Sequence, residues 1–341
     1  MQNYIPLLAS KQISPQLPVA LIQRERLLHN MDAVFASRLL LLSAAAGSGK
    51  TTLLSSWATH SIQAPNVSIW LSLDELDNDP TRFWTLVVTA LRTCMPTVGE
   101  IALRMLHSLQ PPLLSTMLTT LLNELIGLDR EIVFILDDYQ VIEDLNIHES
   151  LSFWLDHLPA SIHMVLSSRV DPALPLARWR VRGQLVEIRD ADLRFTLAEA
   201  STFLTQALGR PFPEDTLLML ESRTEGWIAG LQLATLVLRK SDDLSTSTRA
   251  FAGSHRYLLD YIQEEILQQQ PLAVQDFLLQ TAVLTRLNPA LCQVVTGVET
   301  LQTSQELLKV LVRDNLFVVP LDEQHQWYRF HELFREALLA R

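Results

Sequence analysis

The stretch LLLLSAAAGSGKTTLLSSWA, from Leu39 to Ala58, sets an apolar run, a loop of small residues and Gly49-Lys50-Thr51-Thr52 in immediate succession. The apolar run has the length and character of a strand buried on both faces. The residues after the loop read as a helix. A strand that passes through a small-residue loop into a helix aims the loop N–H groups and the helix N-terminus at one spot, where the helix dipole favours negative charge. The pattern for such a phosphate loop is Gly-x-x-x-x-Gly-Lys-[Ser/Thr]. Gly49, Lys50 and Thr51 fit it, the first glycine position is Ala44, and Gly47 supplies flexibility inside the loop. The backbone of Ala46, Gly47, Ser48, Gly49 and Thr52 is then the cradle for phosphates. Lys50 reaches the β- and γ-phosphates, and the Thr51 hydroxyl is a Mg²⁺ ligand. The chain has only 10 glycines in 341 residues, so two of them within one short loop are informative.

The remaining pattern builds a sheet around this loop. Strands are expected at Leu39–Ser43, Val67–Leu73, Ile132–Asp137, Ile162–Ser168 and Leu185–Ile188, with helices at Lys50–Ser61, Pro80–Cys94, Leu113–Leu128 and Glu149–His157. Strands alternating with helices predict a parallel α/β sheet covered on both sides. Residues 1–38, with Pro6, Pro15 and Pro18, read as an extended arm. From Thr196 onward the pattern is helical, opening with a capping-type Thr196 and Glu199. It passes through a polar linker, KSDDLSTSTRAFAGS, to helices near Tyr257–Gln270, Leu272–Leu284, Pro289–Val295 and Leu301–Asp314. Two short β-like runs around Asp322–His325 and a helix from His331 close the pattern as a winged helix would. The expected domains are 1–190, a P-loop domain with its arm; 191–252, a small helical domain with linker; and 253–341, a winged helix.

In open α/β sheets ligands bind at the carboxyl ends of the strands. EIVFILDDYQ places Asp137 and Asp138 at such an end. Asp137 is the carboxylate expected to hold Mg²⁺, and Asp138 is placed to orient or deprotonate an attacking water. Ser167, Ser168 and Arg169 close the next strand, where a γ-phosphate sensor would lie; position alone leaves Arg169 open between that role and an ordinary surface arginine. Trp70, Phe83 and Trp84 fall at strand and helix spacing and read as core rather than as a base-stacking platform. The alternation Arg178, Arg180, Arg182 reads as a solvated face, with an interface as the alternative. Gly226-Trp227 reads as a tight helix start and packing contact.

Composition excludes several classes. A hydrophobic fraction of 48% is enough for large cores, and a net charge of −11 argues against wrapping DNA or coating an anionic membrane unaided. Cys94 and Cys292 have no metal or redox spacing and read as reduced core residues, as in a cytoplasmic protein. The N-terminus has no signal-peptide pattern, and no apolar run approaches the ~20 residues of a membrane span.

In order along the chain, RERLL, SAAAGSGKTTLLSSWA, WLSLDELDNDPTRFWTLVVTAL, VFILDDYQVI, SSRVDPALPLARWRVRGQLVEI, DLRFTLAEA, TEGWIAGLQLA, YLLDYIQEEIL, FLLQTAVLTRLNPALCQVVTG and YRFHELFREAL resemble the nucleotide-binding half of the large MalT-like, LuxR-type regulators, a branch of the STAND signal-transduction ATPases. The resemblance covers nearly the whole chain. It implies a P-loop domain, a helical domain and a winged helix that closes over ADP in a resting state, with His331 contacting the ADP phosphate. It places Arg24 near the adenine and Ile22 against the base. It implies an ATP–Mg²⁺ state that opens and self-associates, slow hydrolysis as the reset, and an inducer and DNA bound through sensor repeats and a helix-turn-helix outside this chain. A constitutive P-loop ATPase or kinase, or a STAND switch with another output, is the alternative. Many relatives carry proline at Ala45, an aromatic at Ser48 and histidine at Gln140; these departures remove no phosphate or metal ligand. The hairpin sequence LDEQHQ lacks the basic charge of a DNA-reading wing.

Overall fold

The computed structural model describes residues 8–18, 21–63, 66–110, 112–128, 130–239 and 256–341; the polar linker after Arg239 lies outside them. The described residues fall into two compact units: those within 8–18, 23–43 and 50–189 in the first, and those within 21–22, 44–49 and 190–341 in the second. Among the described residues no helix is long and apolar enough to cross a membrane.

The first unit is a five-stranded parallel sheet in the order β2-β3-β4-β1-β5. The strands are β1 (Leu39–Ser43), β2 (Val67–Ser72), β3 (Ile132–Asp137), β4 (Ile162–Ser168) and β5 (Leu185–Arg189). β1, β3 and β4 are buried along their whole length and take the interior, while β2 and β5 are partly exposed and take the edges. Register brings the carboxyl ends level: Ser43 faces Ser168 on one side and Arg189 on the other, and Ser72 faces Asp137. Helices α2 (Lys50–Ser61), α3 (Pro80–Cys94), α5 (Leu114–Leu125) and α6 (Leu145–His157) follow the expected pattern. Asp79 caps α3, accepting a hydrogen bond from the Arg82 N–H, and Pro80 opens it.

Two expectations fail in this unit. The arm is not extended throughout: it forms a 3₁₀ turn at Ala9–Gln12 and the helix α1 (Glu25–Asp32), which buries Leu27 and Met31. Lys11 in that turn is buried and pairs with Asp74 at 2.7 Å and with the fully buried Asp77, so a charge rather than a proline decides the arm's course. Cys94 is exposed, because the last residue of α3 faces outward; Cys292 is buried as expected. Trp70, Phe83 and Trp84 are core residues. Trp84 lies edge-on to Trp154 at 5.2 Å and to Phe83 at 5.3 Å, and its indole N–H donates to Ser150 Oγ at 2.9 Å. Arg178 pairs with Asp156 at 2.5 Å and Arg180 with Glu187 at 2.6 Å.

The second unit opens with α8 (Asp190–Leu193), α9 (Leu197–Leu208), α10 (Glu214–Thr224) and α11 (Ile228–Leu238). The expected capping box is present, with Thr196 and Glu199 each holding the other's backbone N–H. Helices at Arg256–Ile262, Leu272–Thr281, Pro289–Thr296 and Leu301–Arg313 follow, the first running on into a π-type turn at Gln263–Leu267. The antiparallel hairpin of β6 (Val318–Pro320) and β7 (Tyr328–Phe330), then the helix Glu332–Leu339, complete a winged helix.

Glu225 ties the unit together. It leaves α10 with φ 47°, and Gly226 follows with φ 73° where a Cβ would lie 2.6 Å from the Phe195 carbonyl oxygen. The Glu225 carboxylate takes two hydrogen bonds from Arg329 at 2.7 and 2.8 Å, one from Arg194 at 3.1 Å and the Glu332 N–H at 3.0 Å. Burial alone would raise its pKa, but the Arg329 hydrogen bonds and charge and the Glu332 N–H outweigh it, with the His331 ring adding to the pull where acid protonates it, and hold the group at about 2.

Two outcomes follow. Trp84→Ala is expected to cost about 3–5 kcal/mol in urea unfolding, since it empties the centre of an aromatic cluster. A depressed carboxyl pKa adds stability that is complete above the unfolded value of about 4.5 and lost as pH falls toward 2. Glu225→Gln should therefore destabilise the protein by about 3 kcal/mol at pH 7 and flatten the acid limb of its stability profile in that window.

Candidate functional site

In the first unit the strand ends gather the expected acidic and hydroxyl groups. Lys50 is the first residue of α2 and is buried. One position on, Thr51 donates its hydroxyl to Asp137 Oδ2 at 2.8 Å. Thr52 is half-buried in the same turn. Asp137 is 2% exposed. Burial first, and the Asp138 charge second, push its pKa up, against the pull of Ser167, Thr51 and Lys50. Its Oδ1 and Ser167 Oγ are both buried and neither completes a well-oriented hydrogen bond, although they lie close enough for the hydroxyl to lower the carboxylate's pKa. An under-coordinated carboxylate oxygen beside a hydroxyl is an oxygen donor set of the kind Mg²⁺ takes, with water and phosphate completing its shell. Among the described residues no cluster of three or more acidic, histidine or cysteine side chains offers a protein-only metal cage.

Asp138 follows with φ 60°, a left-handed conformation that turns the chain sharply out of β3. Its Oδ1 accepts from Gln140 Nε2 at 2.9 Å, and Gln140 Oε1 accepts from the Arg169 N–H at 3.0 Å. One amide thus ties the residue after β3 to the residue after β4. In the sequence Gln140 stands out only as a departure from the histidine of many relatives. Arg24, at the start of α1, is buried.

The loop Ala44–Gly49 is covalently part of the β1–α2 connection, but by its contacts it belongs to the second unit. The Trp227 indole N–H donates to the Ala46 carbonyl at 3.0 Å, and the Ala229 N–H donates to the Gly47 carbonyl at 3.1 Å. Asp190 Oδ1 accepts from the Ala45 N–H at 3.3 Å. Among the described residues the N–H groups of Gly47, Ser48 and Gly49 have no acceptor, and the Ser48 hydroxyl is buried without a partner. Free N–H groups in a loop with positive φ at Gly47 and Gly49 form an anion-binding concavity. The sequence marks Trp227 only as a packing contact at a helix start and does not mark Asp190 at all; "TEGW" carries no phosphate-loop signal, and only tertiary contact reveals the role.

His331 caps the last helix and is 2% exposed. Its Nε2 donates to the Thr224 carbonyl at 2.8 Å, while Nδ1 is buried without a partner among the described residues. Burial pushes its pKa down, partly offset by Glu225. Ile22 is half-buried against the core of the same unit.

The comparisons agree with this architecture. Residues 263–341 match the MalT winged helix domain family. The HTH-type transcriptional regulator MalT of Klebsiella pneumoniae is 34% identical over 337 residues, covering 98% of this chain and 37% of that protein. MalT of Yersinia pestis is 34% identical over 341 residues, covering 98% and 36%. The chain thus spans well under half the length of the curated relatives it matches. Among solved structures, the Walker-type ATPase PABY2304 of Pyrococcus abyssi superposes with a TM-score of 0.60 at 17% identity, covering 94% of this chain and 96% of that one, a likeness of fold. Over nearly its whole length the chain is similar to these MalT regulators, its fold is like that of the Walker-type ATPase, and its residues 263–341 match the MalT winged helix domain family.

Proposed function

We propose that this chain is the nucleotide-operated switch region of a signal-dependent transcriptional regulator. The observation that carries the reading is the loop whose free N–H groups at Gly47, Ser48 and Gly49 run directly into Lys50, Thr51 and the Thr51–Asp137 pair. The backbone from Ala46 to Thr52 binds the phosphates and Lys50 neutralises them. Thr51 and Asp137 hold Mg²⁺, which when bound screens the phosphate charge. Asp138, oriented by Gln140, positions and deprotonates a water, and Arg169 stands at the γ-phosphate position. Ile22 and Arg24 serve the base. The modules act as a P-loop domain to residue 190, a helical domain from 191 and a winged helix from 253.

His331 is the ADP-phosphate contact in this reading. Its Nε2–H is committed to the Thr224 carbonyl, so Nδ1 is an acceptor in the neutral ring and a donor only as imidazolium. Contact with an anion therefore requires a protonated ring. ADP stabilises the resting arrangement; ATP and Mg²⁺ favour an open one that self-associates, and slow hydrolysis resets it. A switch of this kind works only through differential affinity of the two nucleotides for the two arrangements. The inducer and DNA are bound by parts of the regulator outside this chain, in the cytoplasm.

The first test is the nucleotide content of the purified protein, released by denaturation and separated by ion exchange. Near-stoichiometric ADP retained through desalting is expected. An empty site with rapid, steady ATP turnover would favour a constitutive ATPase instead. Lys50→Ala should lose tight nucleotide binding, by about a hundredfold or more, with unchanged helical content by circular dichroism. ADP binding near pH 7 should take up a proton, because His331 starts neutral and must become charged; titration calorimetry in buffers of different ionisation enthalpy measures it. His331→Gln should abolish that uptake.

A further inference from the structure

Trp227 carries a contact that neither the phosphate-loop pattern nor the winged helix explains. Its indole N–H reaches the Ala46 carbonyl inside the loop at 3.0 Å, and the whole side chain is buried. Two residues on, the Ala229 N–H takes the next carbonyl, that of Gly47, at 3.1 Å. In a trans peptide the N–H of one residue points opposite to the C=O of the residue before it. Holding the Ala46 oxygen therefore fixes the direction of the Gly47 N–H, and holding the Gly47 oxygen fixes that of the Ser48 N–H. Neither of these two N–H groups has an acceptor among the described residues.

The packing is as specific as the hydrogen bonds. A Cβ at Gly47 would lie 2.5 Å from Ala229 Cβ and 2.6 Å from the Tyr261 hydroxyl. The glycine is thus required where α11 approaches the loop, while the usual first glycine position tolerates Ala44. The other faces of the indole meet aromatic side chains of the winged helix: Phe317 edge-on at 5.0 Å and His331 at 5.9 Å, with Tyr261 at 5.8 Å.

We propose that Trp227 is a positioning residue for the phosphate loop, presenting the Gly47 and Ser48 N–H groups to the phosphates while Phe317 and His331 set the angle of its indole. The proposal rests on the nucleotide-binding reading above and gives it a route of regulation. Any rearrangement that moves Phe317 or His331 releases the indole, frees two loop carbonyls and loosens the grip on the phosphates. No group need travel along a pathway, since one side chain touches both the loop and the winged helix.

The test uses the whole chain and a fluorescent ADP analogue. Trp227→Phe keeps an aromatic ring against Phe317 and His331 but removes the N–H. It should release the analogue about tenfold faster, the effect of one lost hydrogen bond on a preorganised site, with unchanged binding stoichiometry. Inorganic pyrophosphate should lose the same factor as a competitor, and adenosine should lose none, because the defect lies in the phosphate cradle. Gly47→Ala, which wedges α11 away from the loop, should reproduce this selectivity and serves if Trp227→Phe fails to fold. Release at the parental rate in both variants overturns the proposal, as does equal loss of adenosine and pyrophosphate competition. Lys50→Ala keeps the two readings apart. If it binds ADP like the parent, the nucleotide site itself is wrong; if it loses ADP while Trp227→Phe and Gly47→Ala behave like the parent, only the role of Trp227 falls.

Discussion

A strand of four leucines and a serine has no polar face to show to water, so β1 is stable only with a strand on each side and helices above and below. The rest of the first unit follows from that constraint. With β1 flanked by β4 and β5, the parallel register sets Ser43 level with Ser168 and Arg189, and β3, next in the sheet, brings Asp137 to the same edge. Parallel strands present all their carboxyl ends together, which is why Asp137, more than eighty residues further along the chain, can meet the hydroxyl of Thr51. Burial then shapes the chemistry. Asp137 is buried enough for its charge to be disfavoured, and its unfilled oxygen gives a cation something to relieve.

The second unit is organised by a carboxylate rather than by an apolar strand. Glu225 holds Arg329, Arg194 and the start of the last helix at once, so the link between α10 and the winged helix is electrostatic and directional. The left-handed turn at Glu225 and Gly226 leads straight to Trp227. That turn fixes where α11 begins, and hence which donors face the phosphate-loop carbonyls. Stability and site geometry in this unit therefore depend on the same few residues.

Much of this was legible in advance. Strand and helix positions in the first unit follow apolar runs and caps closely, because strands buried on both faces leave no ambiguity of period. The capping box at Thr196 and Glu199 formed as written. Where the reading failed, a long-range charge or a change of facing was responsible. The arm was read from its prolines, yet Lys11 is drawn in by the distant Asp77, and Cys94 was read as core although the end of α3 turns it outward.

The sequence by itself determined the loop, the lysine, the hydroxyl and the acidic strand end, because these are local features whose chemistry is carried by residue type and spacing. It also marked the five strands themselves, since apolar runs of that length have nowhere else to go, while their order in the sheet came from the fold. Only the tertiary structure decided how the loop is held. Trp227, Ala229 and Asp190 reach its backbone through single donors and acceptors, and Gln140 joins two strand ends through one amide. Such contacts leave no periodic trace along the chain. They exist because folding brings a lone donor within 3.3 Å of a particular oxygen, and nothing in the neighbouring residues announces it.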